Sequence, residues 1–146
     1  KLLASFLFLL LPFQYTVETI GFPSKDGIQI SADLYAPHQD ASTPFIILFH
    51  QAGWSRGEYM EIAPKLNKMG FNCLAVDLRS GDKINGTENE THKRAKMMDM
   101  PTKYINSYQD IESAVAYVRN NLAKGKIIIW GSSYSAALVI KYAGDH

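Results

Sequence analysis

The sequence predicts an α/β fold: a three-layer αβα sandwich with a mostly parallel sheet and an N-terminal antiparallel hairpin. Two observations carry this prediction. From residue 45 onward, apolar runs alternate with segments of helical period in the order strand, helix, strand, helix, strand, helix. Such alternation is typical of a parallel sheet covered by helices on both faces. Before residue 45, two segments of alternating apolar and polar residues flank an Asp-Gly turn, which indicates a hairpin.

The strands are predicted from their residue types and periods. Residues 15–20 and 28–35 alternate around Asp26-Gly27 and form the hairpin. Residues 45–49, 72–76 and 126–130 are short and largely apolar, as expected of parallel strands buried on both faces.

The helices are predicted from apolar positions at helical spacing. One covers residues 58–69, where Pro64 either weakens the helix or starts its better part and Gly70 stops it. A second covers residues 107–122, with Ser107 as the N-cap and Gly125 closing the end. The third follows the last strand and runs to residue 143.

A long polar insertion, residues 79–106, interrupts this order, and we predict a functional or mobile loop there. It contains Met97, Met98 and Met100. These methionines either pack onto their own domain, which we favour, or line an apolar substrate site.

Composition limits the class of protein and its partners. The chain has 146 residues, 47% of them hydrophobic, and a formal net charge of +1, which suits one globular domain. No basic stripe recurs along the chain, so nucleic acid is not an expected partner. The single cysteine, Cys73, lies in an apolar run and is given no role.

The first 14 residues are predicted to be a signal peptide. Lys1 precedes a short apolar run that Pro12 ends. The run is shorter than the ~20 residues of a membrane-spanning helix, so we expect no stable membrane span. We therefore predict export to the periplasm or the extracellular space, with a buried N-terminal element as the alternative.

The most informative segment is the junction of the last strand and the last helix, Gly131-Ser-Ser-Tyr-Ser135. A tight turn between a strand and a helix can hold a serine hydroxyl in a strained, exposed position. Ser133 is the predicted nucleophile. His50 and Asp77 directly follow the other two parallel strands, so all three strand ends should face one crevice.

A serine nucleophile needs hydrogen-bond donors for the oxyanion of its tetrahedral intermediate. The N–H of Tyr134 is the expected first donor. The second should come from the loop after the first parallel strand, from Ala52 or alternatively from Gln51, and Gly53 lets that backbone turn closely. We expect His50 to be a structural hydrogen-bonding residue and not the base.

Three serines lie within four residues, so the register of the turn must be decided. If Ser132 were the nucleophile, Trp130 and Tyr134 would occupy flanking positions that must be small. Ser135 has acceptable flanks but would lie inside the helix. Ser133 is therefore preferred, against the alternative that it merely caps the helix.

These residues resemble the α/β-hydrolase family. Within it, the sequence looks most like the dienelactone-hydrolase-like and esterase-like members. The likeness covers most of residues 15–143: the hairpin, the His–x–x–Gly loop, the strand ending at Asp77 and the G-x-S-x-G turn. The sequence departs from the family pattern at Ser135, where glycine is usual, and at Gln51, where many members have glycine. Serine is small, so we expect the turn to survive.

The resemblance implies a serine hydrolase that cleaves a small ester or acyl substrate through an acyl-enzyme, with no metal or cofactor. The alternatives are a non-catalytic binding module on the same fold, or a serine peptidase or acyltransferase.

In this family the acid and the histidine of the triad follow the serine on loops after further strands. Asp145 and His146 follow Ser133, but a helix would carry them roughly 15 Å from it. Asp77, His38 and His92 precede it, an order that the family does not use, and we expect Asp77 to hydrogen-bond loop backbone at the crevice. We therefore expect residues 15–146 to be a partial α/β-hydrolase domain, inactive by itself, whose parent continues with at least two more strands.

Overall fold

In a computed structural model, which describes residues 16–146, five strands form one mixed sheet. The order across the sheet is β1-β2-β4-β3-β5. β1 is antiparallel to β2 and β2 to β4, whereas β3 is parallel to both β4 and β5. The strands are β1 (Glu18–Pro23), β2 (Gln29–Tyr35), β3 (Phe45–Phe49), β4 (Asn72–Val76) and β5 (Ile127–Gly131).

Helices cover both faces of this sheet. They are α1 (Ala63–Lys68), α2 (Glu90–Met97), α3 (Tyr108–Asn121) and α4 (Tyr134–Asp145), with 3₁₀ turns at Arg56–Tyr59 and Tyr104–Ser107. Phe45, Ile47 and Phe49 of β3 join the core under α3 and α4, and the alternate residues Ile46 and Leu48 join the core under α1. A strand buried on both faces has this arrangement, so the predicted three-layer fold is confirmed.

The predicted hairpin is present, but its first strand lies later in the sequence than expected. β1 extends to Pro23, which pairs with Gln29, because the turn occupies only residues 24–27. In that turn the Gly27 N–H donates to the Ser24 carbonyl at 2.9 Å.

The predicted helix over residues 58–69 is only partly correct. A 3₁₀ turn comes first, and α1 begins at Ala63 with Pro64 in its first turn. Proline has no N–H, but this costs no hydrogen bond there, because N–H groups in the first turn have no partner within the helix. Gly70 has φ +93° and ends the helix as predicted.

Ser107 occupies the N-cap position of α3 as predicted, whereas the predicted end at Gly125 was wrong. Ser107 makes no capping hydrogen bond, because the 3₁₀ turn Tyr104–Ser107 already leads the chain into the helix. Gly125 does not have a positive φ. It is required for a close approach, since a β-carbon there would lie 2.1 Å from the Ser42 carbonyl oxygen.

The insertion is not a loop throughout, because it contains α2. Asn89 caps this helix by accepting a hydrogen bond from the His92 N–H at 2.8 Å. Thr91 ties the helix to β2 by accepting from the Ser31 N–H at 3.0 Å. Met97 and Met98 are 85% and 53% exposed, so our preference for packing onto the domain was wrong for these two residues.

The predicted signal peptide, residues 1–14, lies outside the described residues. Within residues 16–146, no helix has the length and apolar character needed to cross a membrane.

Candidate active site

The ends of the three parallel strands meet at one edge of the sheet. Phe49 of β3 is level with Val76 of β4 on one side and with Gly131 of β5 on the other. The chain leaves all three strands at the same height, so the polar segments beginning at His50, Asp77 and Ser132 lie side by side. This is the edge at which α/β proteins bind ligands.

Ser133 has the backbone of a strained bend. Its φ is 57° and its ψ is −119°, a combination that a turn normally assigns to glycine. In a residue with a β-carbon this conformation costs of order 1–3 kcal/mol. The side chain is exposed and makes no capping bond with α4. Ser133 therefore does not act as a helix cap, and its hydroxyl faces solvent.

Gly131 lets α4 start directly over the end of β5. A β-carbon at this position would lie 2.5 Å from the backbone nitrogen of Ala136, which is closer than atoms can approach without a shift of the backbone. The flank of the bend on the strand side must therefore be glycine.

Ser135 is fully buried and holds the bend from inside. Its hydroxyl lies 2.8 Å from the Phe49 carbonyl oxygen and accepts a hydrogen bond from the Ser132 N–H at 2.8 Å. A hydroxyl in this position cannot meet a substrate, which removes Ser135 as an alternative nucleophile.

Two backbone N–H groups in the segments that follow β3 and β5 are open. Those of Tyr134 and Ala52 donate to no acceptor in the described part of the chain. The Gln51 N–H, in contrast, donates to Glu58 Oε2 at 2.8 Å. Ala52 is therefore a better candidate than Gln51 for the second oxyanion donor.

The loop that carries Ala52 is a tight turn. The Trp54 N–H donates to the Gln51 carbonyl at 3.3 Å, and Gly53 has φ +72°. A β-carbon at Gly53 would meet no atom within 4 Å. Glycine is therefore needed there for its backbone conformation and not for space.

His50 is a buried part of the scaffold. Its Nδ1–H donates to the Gln51 carbonyl at 2.8 Å, and its Nε2 accepts from the Leu78 N–H at 3.0 Å and faces the Asn89 side-chain amide at 3.2 Å. Burial lowers its pKa to about 4. The ring is therefore neutral and fully engaged, and it joins the loop after β3 to the chain after β4.

Asp77 has a similar supporting position. Its carboxylate is fully buried, accepts from the N–H groups of Arg56 and Glu90, and pairs with Arg56 Nη1 at 2.6 Å. Burial raises its pKa to about 6 in spite of that ion pair. Asp77 therefore anchors the first 3₁₀ turn and the start of α2 beside the crevice.

The other histidines lie against different parts of the fold. The rings of His38 and His92 contact backbone carbonyls at residues 67 and 79. His146 stacks on Tyr142 at the far end of α4. None of the four histidines of the chain is therefore placed to act as a base on Ser133.

A metal centre has no candidate ligands among the residues that the structure describes. Within residues 16–146, no group of three His, Cys, Asp or Glu residues is arranged to hold a metal ion. Cys73 is buried in β4, and burial raises the pKa of its thiol to about 12, which leaves it unreactive.

Aromatic side chains form one wall beside the bend. The Tyr134 ring stacks on Tyr104 with centroids 4.5 Å apart, and its hydroxyl donates to the Ser80 carbonyl at 2.9 Å. A cavity of about 270 Å³ is lined by Ser80, Thr102, Lys103 and Tyr104. Sequence reasoning missed Tyr104, because it lies in a predicted loop without a periodic pattern.

Comparison with known proteins agrees with this architecture. The chain is 26% identical over 129 residues to the quorum-quenching protein AidA of Acinetobacter baumannii (strain MDR-ZJ06), covering 86% of this chain and 39% of that protein. No protein-family model matches it.

Two solved structures superpose on nearly the whole described chain. One is a highly thermostable carboxyl esterase from Bacillus coagulans (TM-score 0.66, 18% identity, 89% of this chain and 40% of that one). The other is the α/β-hydrolase GrgF from Penicillium sp. sh18 (TM-score 0.66, 16% identity, 88% and 42%).

The chain has the α/β-hydrolase fold. It spans about two fifths of the length of these relatives. At such low identity the superpositions establish the architecture, and the predicted resemblance is confirmed at that level.

Proposed function

We propose that the protein is a serine hydrolase that cleaves carboxylic esters through an acyl-enzyme on Ser133. The observation that carries this proposal is the exposed hydroxyl at a backbone position of φ 57°, directly before α4. A strained residue in a crevice is an outlier that needs an explanation, and display of a nucleophile supplies one. The fold, shared with solved esterases, supports the same proposal.

In the proposed reaction, Ser133 Oγ attacks the ester carbonyl carbon as a general base removes its proton. The carbonyl oxygen becomes an oxyanion, which the N–H groups of Tyr134 and Ala52 bind. The carbon–oxygen bond to the alcohol then breaks, and the alcohol leaves with the proton that the base had taken. Water hydrolyses the acyl-serine by the same steps, which restores the free enzyme.

We propose that the base and its orienting acid come from a part of the protein outside residues 16–146. That part would be equivalent to the segments of the relatives with which this chain does not align. This chain aligns with only about 40% of their length, and its own histidines are engaged elsewhere. Without a base, residues 16–146 alone should hydrolyse esters at least 10²-fold more slowly than the full-length protein.

A fluorophosphonate probe tests the nucleophile on the full-length protein. We expect covalent labelling that Ser133→Ala abolishes and that Ser132→Ala preserves, with the labelled peptide containing residue 133. Labelling that survives Ser133→Ala contradicts the assignment. A protein that folds but is not labelled would instead be a non-catalytic binding module.

Substrate assays separate the remaining alternatives. A p-nitrophenyl ester should be hydrolysed and the matching anilide should not. Hydrolysis of the anilide would indicate a peptidase. When an alcohol is added to the reaction, formation of its ester instead of the free acid would indicate an acyltransferase.

A further inference from the structure

One backbone carbonyl connects the bend to the loop that carries the second oxyanion donor. The oxygen of Phe49, the last residue of β3, lies within hydrogen-bond distance of three donors. They are the hydroxyl of Tyr59 at 2.7 Å, the hydroxyl of Ser135 at 2.8 Å and the N–H of Ser132 at 3.1 Å. The chain continues from Phe49 directly into residues 50–54, so this oxygen joins the two halves of the site.

Ser135 makes this connection in a way that alanine or glycine could not. Its hydroxyl, which is fully buried, binds the Ser132 N–H before the bend and reaches the end of β3, while its backbone belongs to α4 after the bend. The strained residue, Ser133, lies between these two attachment points. A strained conformation persists only where its surroundings over-determine it.

We propose that Ser135 is a positioning residue for catalysis, an inference that rests on the proposed function. Its hydroxyl fixes the distance between Ser133 Oγ and the two oxyanion donors, because Tyr134 N–H belongs to the bend and Ala52 N–H to the loop that follows Phe49. Rigid placement of donors before the reaction is what makes them effective on the transition state.

The structure indicates that this role can be removed without unfolding the protein. In Ser135→Ala, the Phe49 oxygen keeps the Tyr59 and Ser132 donors, and the Ser132 N–H keeps the Phe49 oxygen. The Ser132 carbonyl oxygen, which also lies 2.9 Å from the Ser135 hydroxyl, keeps the Ser135 N–H at 3.3 Å, so each of these three backbone groups retains a partner. Ser132→Ala is the matched control, since it also removes one hydroxyl from the bend, and no described residue bonds to that hydroxyl.

Steady-state kinetics on the full-length protein test the proposal. For Ser135→Ala we expect kcat to fall by about 10- to 100-fold, the size of loss expected from a misplaced reacting group, with KM changed less than about twofold. Ser132→Ala should keep kcat within about twofold. An unchanged kcat in Ser135→Ala, or an equal loss in Ser132→Ala, would overturn the proposal.

Hydrogen exchange tests the connection without relying on activity. We expect the protection factors of the hydrogen-bonded amides of Ser132, Gln51 and Trp54 to fall by about tenfold in Ser135→Ala and to remain unchanged in Ser132→Ala. Unchanged protection in Ser135→Ala refutes the positioning role even if the wild-type protein proves inactive. Inactivity of the wild type together with lowered protection would reject only the proposed function and leave the connection standing.

Discussion

Replacing the strained serine with glycine should make the protein more stable as it removes the nucleophile. Ser133 holds φ 57° and ψ −119°, which costs a residue with a β-carbon of order 1–3 kcal/mol. Glycine avoids that cost, but it lowers the free energy of unfolding by about 0.4–1 kcal/mol because the unfolded chain gains conformational freedom. Ser133→Gly should therefore exceed Ser133→Ala in unfolding free energy by about 1 kcal/mol.

The comparison with alanine isolates the backbone from the lost hydroxyl, because both variants lack it. Thermal unfolding should show Tm about 3–4 °C higher for Ser133→Gly than for Ser133→Ala in a domain of this size. The matched control is the same pair at Ser132, which does not have a positive φ. There the order should reverse, with the glycine variant less stable by about 0.5–1 kcal/mol.

Equal stability of Ser133→Gly and Ser133→Ala would show that a β-carbon at residue 133 causes no backbone strain. The bend would then give no physical reason to assign Ser133 as an exposed nucleophile.

Three further outcomes follow from the contacts around the crevice. Gly131→Ala should abolish probe labelling and cost at least about 2 kcal/mol in denaturant unfolding, because its β-carbon would lie 2.5 Å from the Ala136 nitrogen; near-normal stability and labelling would contradict this. His50 is buried with its pKa lowered from 6.5 to about 4, so its contribution is present above pH 6.5 and is lost as pH falls towards 4. The stability advantage of wild type over His50→Gln should shrink by about 3 kcal/mol across that range, and a constant difference argues against a neutral buried ring. Asn89→Ala should cost about 2–3 kcal/mol, since this buried side chain caps α2 and donates to two carbonyls. Asn121→Ala, which loses one bond at the exposed end of α3, should cost under about 1 kcal/mol, and equal losses would show that the α2 cap adds nothing.

Much of the fold could be predicted because its strands have strong local patterns. The run at β3 is continuously apolar, the run at β4 is apolar from Cys73 onward, and an Asp-Gly turn marks the hairpin, so hydrophobic period and turn chemistry agree. The helix α2 was not predicted because its sequence has no apolar residues at helical spacing. Most of its side chains lie at the surface, and only Thr91 and Ala95 are buried. Asn89, three residues before His92, was the available signal for its start.

The candidate site could be predicted where chemistry and local sequence coincide, as at the turn around Ser133. What the sequence does not reveal is which backbone groups are already engaged. Glu58 occupies the Gln51 N–H across seven residues, and Ser135 reaches Phe49 across 86. The first pairing depends on how the loop after β3 folds back on itself, and the second depends on how β3 and β5 lie side by side. A single sequence encodes neither in a local pattern.

The proposed chemistry requires Ser133 to face two open backbone donors across a crevice at the strand ends. A crystal structure of the full-length protein after reaction with a phosphonate ester would show whether it does. We expect phosphorus bonded to Ser133 Oγ, with one phosphonyl oxygen about 2.7–3.1 Å from the nitrogens of both Tyr134 and Ala52. Phosphorus on another residue, or an oxygen that points away from these two amides, would contradict it.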